Sequence, residues 1–74
     1  MDTLNNLKIN KIAEIENINC ENNIKRRMMD LGIVKGTKIK AILKSPSGNP
    51  RAYEVRGSVI AIRNEDAKQI VIKK

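Results

Sequence analysis

The sequence predicts a small, mainly β domain of the α+β kind: five strands forming a partly open barrel, with one main α-helix. Three observations predict it. The chain holds 12 Ile, 4 Val and 2 Thr, so 18 of its 74 residues are β-branched and favour extended backbone. Short segments of alternating apolar and polar residues recur along it, separated by turns that contain Gly or Pro. Only one segment repeats its apolar residues at helical spacing. A partly open barrel would leave such strands with few exposed edges.

Leu4 and Leu7, three positions apart, read as one short helical turn packed on the core. Residues 11–18 form a first strand, with Ala13 and Ile15 alternating against Glu14 and Glu16. Ile12 and Ile18 fall off that alternation, which predicts a bulge or burial on two sides. The helix covers residues 22–31. Asn22 or Asn23 can cap it, Glu21 lies near its positive end, and Ile24, Met28 and Leu31 make one apolar stripe. Gly32 then tolerates positive φ, and Ile33 follows where a Schellman ending wants an apolar contact.

Gly36 sits where a type II turn over residues 34–37 requires positive φ. Residues 37–44 are the clearest strand: Ile39, Ala41 and Leu43 face one way, Lys38, Lys40 and Lys44 the other, and Ile42 interrupts the polar side. Ser45-Pro-Ser-Gly-Asn-Pro50 is a loop too long for a two-residue hairpin. In residues 51–56, Tyr53 and Val55 lie opposite Ala52, Glu54 and Arg56. Gly57 marks a tight turn or bulge before a strand at 58–63. Residues 64–69 make a helical turn, with Asn64 as its cap over Glu65 and Asp66, and Ile70-Val-Ile72 closes the sheet. Ile15, Ile39, Leu43, Val55 and Ile60 are expected to share one core with Ile24, Met28 and Leu31.

Leu, Ile and Val together number 20 of 74, enough for one small core and a single domain over residues 1–74. Fifteen Lys and Arg against eight Asp and Glu give +7. A lone Cys20 cannot form an internal disulfide and points to a reducing compartment. The absence of His removes the usual general base and, with one Cys, every Cys/His zinc site. The carboxylates of Glu14, Glu16, Asp30, Glu54, Glu65 and Asp66 are scattered without calcium-loop spacing. The longest apolar run, Val59-Ile-Ala-Ile62, is far short of the ~20 residues that span a bilayer. The segment MDTLNNLKIN lacks a basic then apolar leader pattern. A basic, cytoplasmic, non-catalytic binding module is expected, with no catalytic residue, cofactor or metal ligand set.

Arg27-Met-Met-Asp-Leu-Gly-Ile-Val-Lys-Gly-Thr37, Ser45-Pro-Ser-Gly-Asn-Pro50 and Gly57-Ser-Val-Ile-Ala-Ile-Arg63 stand in this order. In that order they resemble the ferrous-iron transport protein A (FeoA) family. The likeness covers residues 4–72. Lys35 stands where that family often has Pro, Asn49 where it often has Asp, Ile62 where it usually has Leu, and Asn10 where it often has Gly. The resemblance implies an SH3-like barrel in the cytoplasm, accessory to the ferrous-iron transporter FeoB, a membrane protein with a cytosolic GTP-binding domain. It implies no catalytic residue and no DNA partner, and nearness to the membrane only through the transporter.

Seven residues are candidates for partner binding. Met29 lies about 140° around the helix from Ile24, so either a second side of the helix is covered or Met29 is an exposed contact beside Lys25 and Arg26. Lys38, Lys40 and Lys44 could meet an acidic partner, or could be a solvated edge that discourages aggregation. Pro46, Gly48 and Pro50 could form a docking loop, or could serve turn geometry alone. The alternative function is a basic SH3-like barrel that binds RNA, for which stacking aromatics other than Tyr53 are missing. Cys20 reads as a small apolar residue at the strand-to-helix junction.

Overall fold

The computed structural model describes residues 2–73. Strand β1 (Asp2–Thr3) runs into a 3-10 turn (Leu4–Asn6), then β2 (Ile12–Ile18), α1 (Asn22–Asp30) and β3 (Lys38–Lys44). β4 (Arg51–Val55), β5 (Ser58–Ile62), α2 (Asn64–Ala67) and β6 (Ile70–Lys73) follow. All strands pair antiparallel in one sheet, ordered β1-β6-β2-β3-β4-β5. The five strands expected from the sequence are present. The sixth, β1, pairs Asp2 with Ile72 and Thr3 with Val71, and two residues are too few to carry an alternation.

Two register slips decide which side chains enter the core. Between β2 and β6 the pairing shifts between Ile15 and Asn17, so Ala13, Ile15 and Ile18 are all buried and Ile12 is exposed. This is the bulge that the broken alternation at Ile18 anticipates, whereas Ile12 lies in unbroken register on the exposed face, neither bulged nor buried. Between β3 and β4 the pairing shifts between Ala41 and Leu43. Ile42 takes up the extra position, and Leu43 comes opposite Ala52 with 55% of its surface exposed. The expectation that Leu43 belongs to the core is therefore wrong, because one inserted residue turns every later side chain to the other face.

The core is built from Leu4, Ile33, Ile39, Tyr53, Ile70 and Ile72 with the buried residues of β2. A fully buried side chain of this size contributes about 1.5–3 kcal/mol relative to its exposed state. From α1 only Met28 is fully buried; Ile24, like Ile60 of β5, packs half-buried at the margin. Leu31 is exposed, contrary to the stripe expectation. The helix stops one residue too early for it, and Ile33 fills the core instead.

That stop is the expected Schellman ending. Gly32 adopts φ 89°, its N–H donates to Met29 O at 2.9 Å, and the Ile33 N–H donates to Met28 O at 2.9 Å. At the other end neither Asn22 nor Asn23 caps the helix. Glu21 holds the cap position without a side-chain bond, and Asn23 Oδ1 accepts from the Ile24 N–H instead. The 34–37 turn closes as expected, with the Thr37 N–H donating to Val34 O at 3.0 Å and positive φ at Gly36.

Candidate partner-binding surfaces

Met29 projects from α1 with 53% of its surface exposed, so of its two sequence readings the structure leaves the uncovered one. Lys25, Arg26 and Arg27 on the same helix are exposed as well.

The three lysines of β3 do not share a face. Lys38 and Lys40 alternate with the buried Ile39 and Ala41 and so lie on the outer side of the sheet. Lys44, beyond the slip at Ile42, pairs with the buried Arg51 on the inner side. The expectation of one lysine face fails for the same reason as that for Leu43. The outer face is also not uniformly positive. Glu14 lies directly opposite Lys38, and Glu54 directly opposite Lys40, so opposite charges face each other across the ladder.

The 45–50 loop is tied to the start of α2. Asn49 Oδ1 accepts from the Asn64 N–H at 3.0 Å, and Asn64 Nδ2 donates to Gly48 O at 3.1 Å. Thus Asn64 is not the cap that its type suggests; Asn49, 15 positions earlier, accepts at that helix start. Gly48 has φ 83° and its N–H donates to Ser45 O at 2.8 Å. Pro46, Gly48 and Pro50 therefore lie in a loop held by its own hydrogen bonds, with Gly48 lining a cavity of about 480 Å³ alongside Lys8, Lys44, Arg51 and Asn64.

Arg51 is the functional-type residue that sequence reasoning passed over. It is buried, its guanidinium donates to the carbonyls of Asn5 and Leu7, and it lies 5.5 Å from the centre of the Tyr53 ring. No carboxylate pairs with it among the described residues. Alternation from Tyr53 and Val55 places position 51 on the inner face, which is the signal that could have found it. Tyr53 itself is fully buried and donates to Leu4 O, so the one aromatic ring cannot stack on a nucleic-acid base.

Cys20 is buried, near the Asp66 carbonyl, and burial first, then the Asp66 charge, push its thiol above the ordinary range. It sits in the core as the small apolar residue expected. Among the described residues no three His, Cys, Asp or Glu side chains cluster as a metal site would need, and no helix is long and apolar enough to cross a membrane.

The fold and surface define an antiparallel β module with a single substantial helix on its sheet. The chain belongs to the FeoA family: the sequence model of the FeoA domain matches residues 3–74. It is 31% identical over 70 residues to a Campylobacter jejuni protein that carries the name Fe(2+) transport protein A, covering 95% of each chain. The solved FeoA protein of Chlorobium tepidum is 32% identical, with a TM-score of 0.92 over 96% of this chain and 68% of that one. The Stenotrophomonas maltophilia FeoA, solved with zinc and described as a prokaryotic SH3 domain protein, is 31% identical. Its TM-score is 0.85, over 99% of this chain and 91% of that one. The SH3-like expectation is met.

Proposed function

We propose that this chain is a non-catalytic accessory module of ferrous-iron transport that works in the cytoplasm by binding the cytosolic GTP-binding region of a FeoB-type transporter. Family membership across residues 3–74 supports the transport role, together with the name of the Campylobacter relative. The observation that carries the binding role is Met29, a large apolar side chain left in water on a helix whose neighbours Lys25 and Arg26 are cationic. Flexible methionine suits an adaptable contact, and cations beside it steer an acidic partner. In this reading Met29 is the apolar anchor and Lys38 and Lys40 assist encounter. Lys44, Pro46, Gly48 and Pro50 form a separate contact at the far end of β3.

The test is a kinetic binding measurement between the purified chain and the transporter's cytosolic region. Wild type is expected to bind. Met29→Asp should dissociate faster at every salt concentration, because the lost interaction is apolar burial. Absence of wild-type binding, or an unchanged dissociation rate for a folded Met29→Asp, would overturn the reading.

A further inference from the structure

The β4–β5 hairpin fixes which backbone groups of β5 are in use. Val55 pairs with Ser58 across a two-residue turn in which Arg56 has φ 53° and Gly57 φ 83°, a type I′ turn. In such a hairpin the pair next to the turn exchanges both hydrogen bonds, and every second pair after it does the same. Ser58, Ile60 and Ile62 therefore turn their N–H and C=O groups toward β4. Val59 and Ala61 turn theirs away.

Among the described residues no strand lies on that side, because β5 is the last strand of the sheet, and no other backbone bond reaches Val59 or Ala61. Edge strands are usually guarded by a charge, a proline or a bulge. β5 reads Ser-Val-Ile-Ala-Ile, with none of these, and its register against β4 is unbroken. Val59 is 63% exposed. A groove of about 400 Å³ opens beside the second half of β5, lined by Ile24 and Met28 of α1, by Leu31 just past its end, and by Ala61 and Ile62 of β5. Leu31, left out of the core by the helix stop, forms part of this groove's apolar wall.

The charges around the groove narrow the occupant. Arg27 and Arg63 line it, and the Arg56 side chain lies toward the end of α1, where a β-carbon on Gly32 would stand 3.7 Å from its Cδ. Glu65 is engaged with Arg63 at 3.6 Å, and Asp66 lines the groove as well. Arg27, Arg56 and Arg63 thus stand against two carboxylates and leave a small positive excess, with Arg27 and Arg56 in no ion pair among the described residues. A second copy of the chain carries +7 overall, so like-charge repulsion between whole molecules opposes self-pairing here. Guanidinium groups favour carboxylates through paired hydrogen bonds.

We propose that β5 accepts an added strand: an extended segment of a partner protein, apolar in the middle and acidic at its ends, that pairs with Val59 and Ala61 and lays its apolar side chains in the groove beside α1. Main-chain bonds would give affinity and the groove would select alternate side chains. The proposal deepens the partner reading and takes from it only that α1 faces a protein partner.

The probe is a synthetic nine-residue peptide, Glu-Glu-Val-Thr-Val-Thr-Val-Glu-Glu, compared with the same core flanked by lysines. With the acidic peptide, hydrogen exchange of the Val59 and Ala61 amides should slow and their NMR signals should shift. Proline suits an edge strand where the N–H faces outward, so Val59→Pro and Ala61→Pro should fold yet bind about tenfold more weakly. Arg27→Glu should lose preference for the acidic peptide. Signals shifting around Lys38 and Lys40 instead, equal affinity for both peptides, or unchanged binding by folded proline variants would each overturn the proposal. Protection of Val59 and Ala61 that rises with protein concentration alone would assign the edge to a second copy and overturn it too. If the proline variants unfold, amide exchange in the wild-type chain decides. Peptide binding without transporter binding would fail the accessory reading alone.

Discussion

Arg51 donates from Nη1 to the carbonyl of Asn5 at 2.6 Å, 46 positions earlier in the chain, and from Nη2 to the carbonyl of Leu7. One buried guanidinium thus fastens the N-terminal turn to the start of β4, next to Tyr53, whose hydroxyl donates to Leu4 O. Its planar fork meets the two carbonyls from two separate nitrogens held in fixed geometry, whereas a lysine ammonium would have to reach both from one nitrogen on a flexible stem. Arg51→Ala is expected to cost about 2–4 kcal/mol in urea unfolding, from lost packing and two carbonyls left without their donor. Arg51→Lys should recover only part of that. Full recovery by lysine would mean that charge, not the fork, matters.

The slip at Ile42 makes a paired prediction. Ile39→Ala, at a fully buried site, should cost about 2–5 kcal/mol, while Leu43→Ala on the outer face should cost less than about 1 kcal/mol. Equal losses by chemical denaturation would mean that the register in solution is not the one described.

Gly32 ends α1 at φ 89°, and a β-carbon there would meet nothing nearer than 3.7 Å. The cost of Gly32→Ala is then one of backbone conformation, about 1–2 kcal/mol, without a packing clash. A melting temperature unchanged from wild type would show that the chain can end the helix another way.

Cys20 and Tyr53 both have their proton-bound forms favoured by burial, with the charge of Arg51 offsetting part of the effect at Tyr53. A raised folded value means that the stabilisation is whole below the unfolded value and disappears as pH climbs through the folded one. Stability should therefore stay level through neutral pH and fall once pH passes the ordinary thiol and phenol values of 9.0 and 10.0. Tyr53→Phe should flatten the upper part of that fall. At pH near 8, alkylation of Cys20 should be far slower in the folded chain than in urea. Equal alkylation rates would place the thiol at the surface.

Lys38→Glu with Lys40→Glu should leave the circular dichroism spectrum nearly unchanged, since both side chains lie on the outer face. Association with the transporter's cytosolic region should slow at low salt, and the difference should shrink as the screening length falls below about 8 Å. Because Glu14 and Glu54 already face these lysines, the slowing should be smaller than for Arg26→Glu with Lys25→Glu on α1. The reverse ranking would move the encounter surface from the helix to the sheet.

The elements that could be read from the chain were those with local causes. The helix stop was legible because Gly32 and Ile33 carry all of its signal within two positions. The bulge in β2 was legible because Ile18 breaks a pattern set by its own neighbours, while the same break at Ile12 marked only an exposed apolar side chain. The inner position of Arg51 was present in the alternation but masked by its charge. The candidate contact at Met29 could be located but not resolved, since angle on a helix says nothing of what covers it. The groove beside β5 left no sequence signal, for its two walls are some 30 positions apart in the chain.

By itself the sequence determined five of the six strands, the main helix, the turn positions and the family, because these rest on residue type and short-range spacing. Only the tertiary structure decided that Ile42 is the inserted residue, that Leu43 and Lys44 exchange faces, that Asn49 serves α2 in place of Asn64, and that β5 is left as an open edge. Each of those depends on which strand lies beside which and in what register. Register is set by the summed packing of the whole sheet, and a side-chain period of two turns a shift of one residue into a change of face.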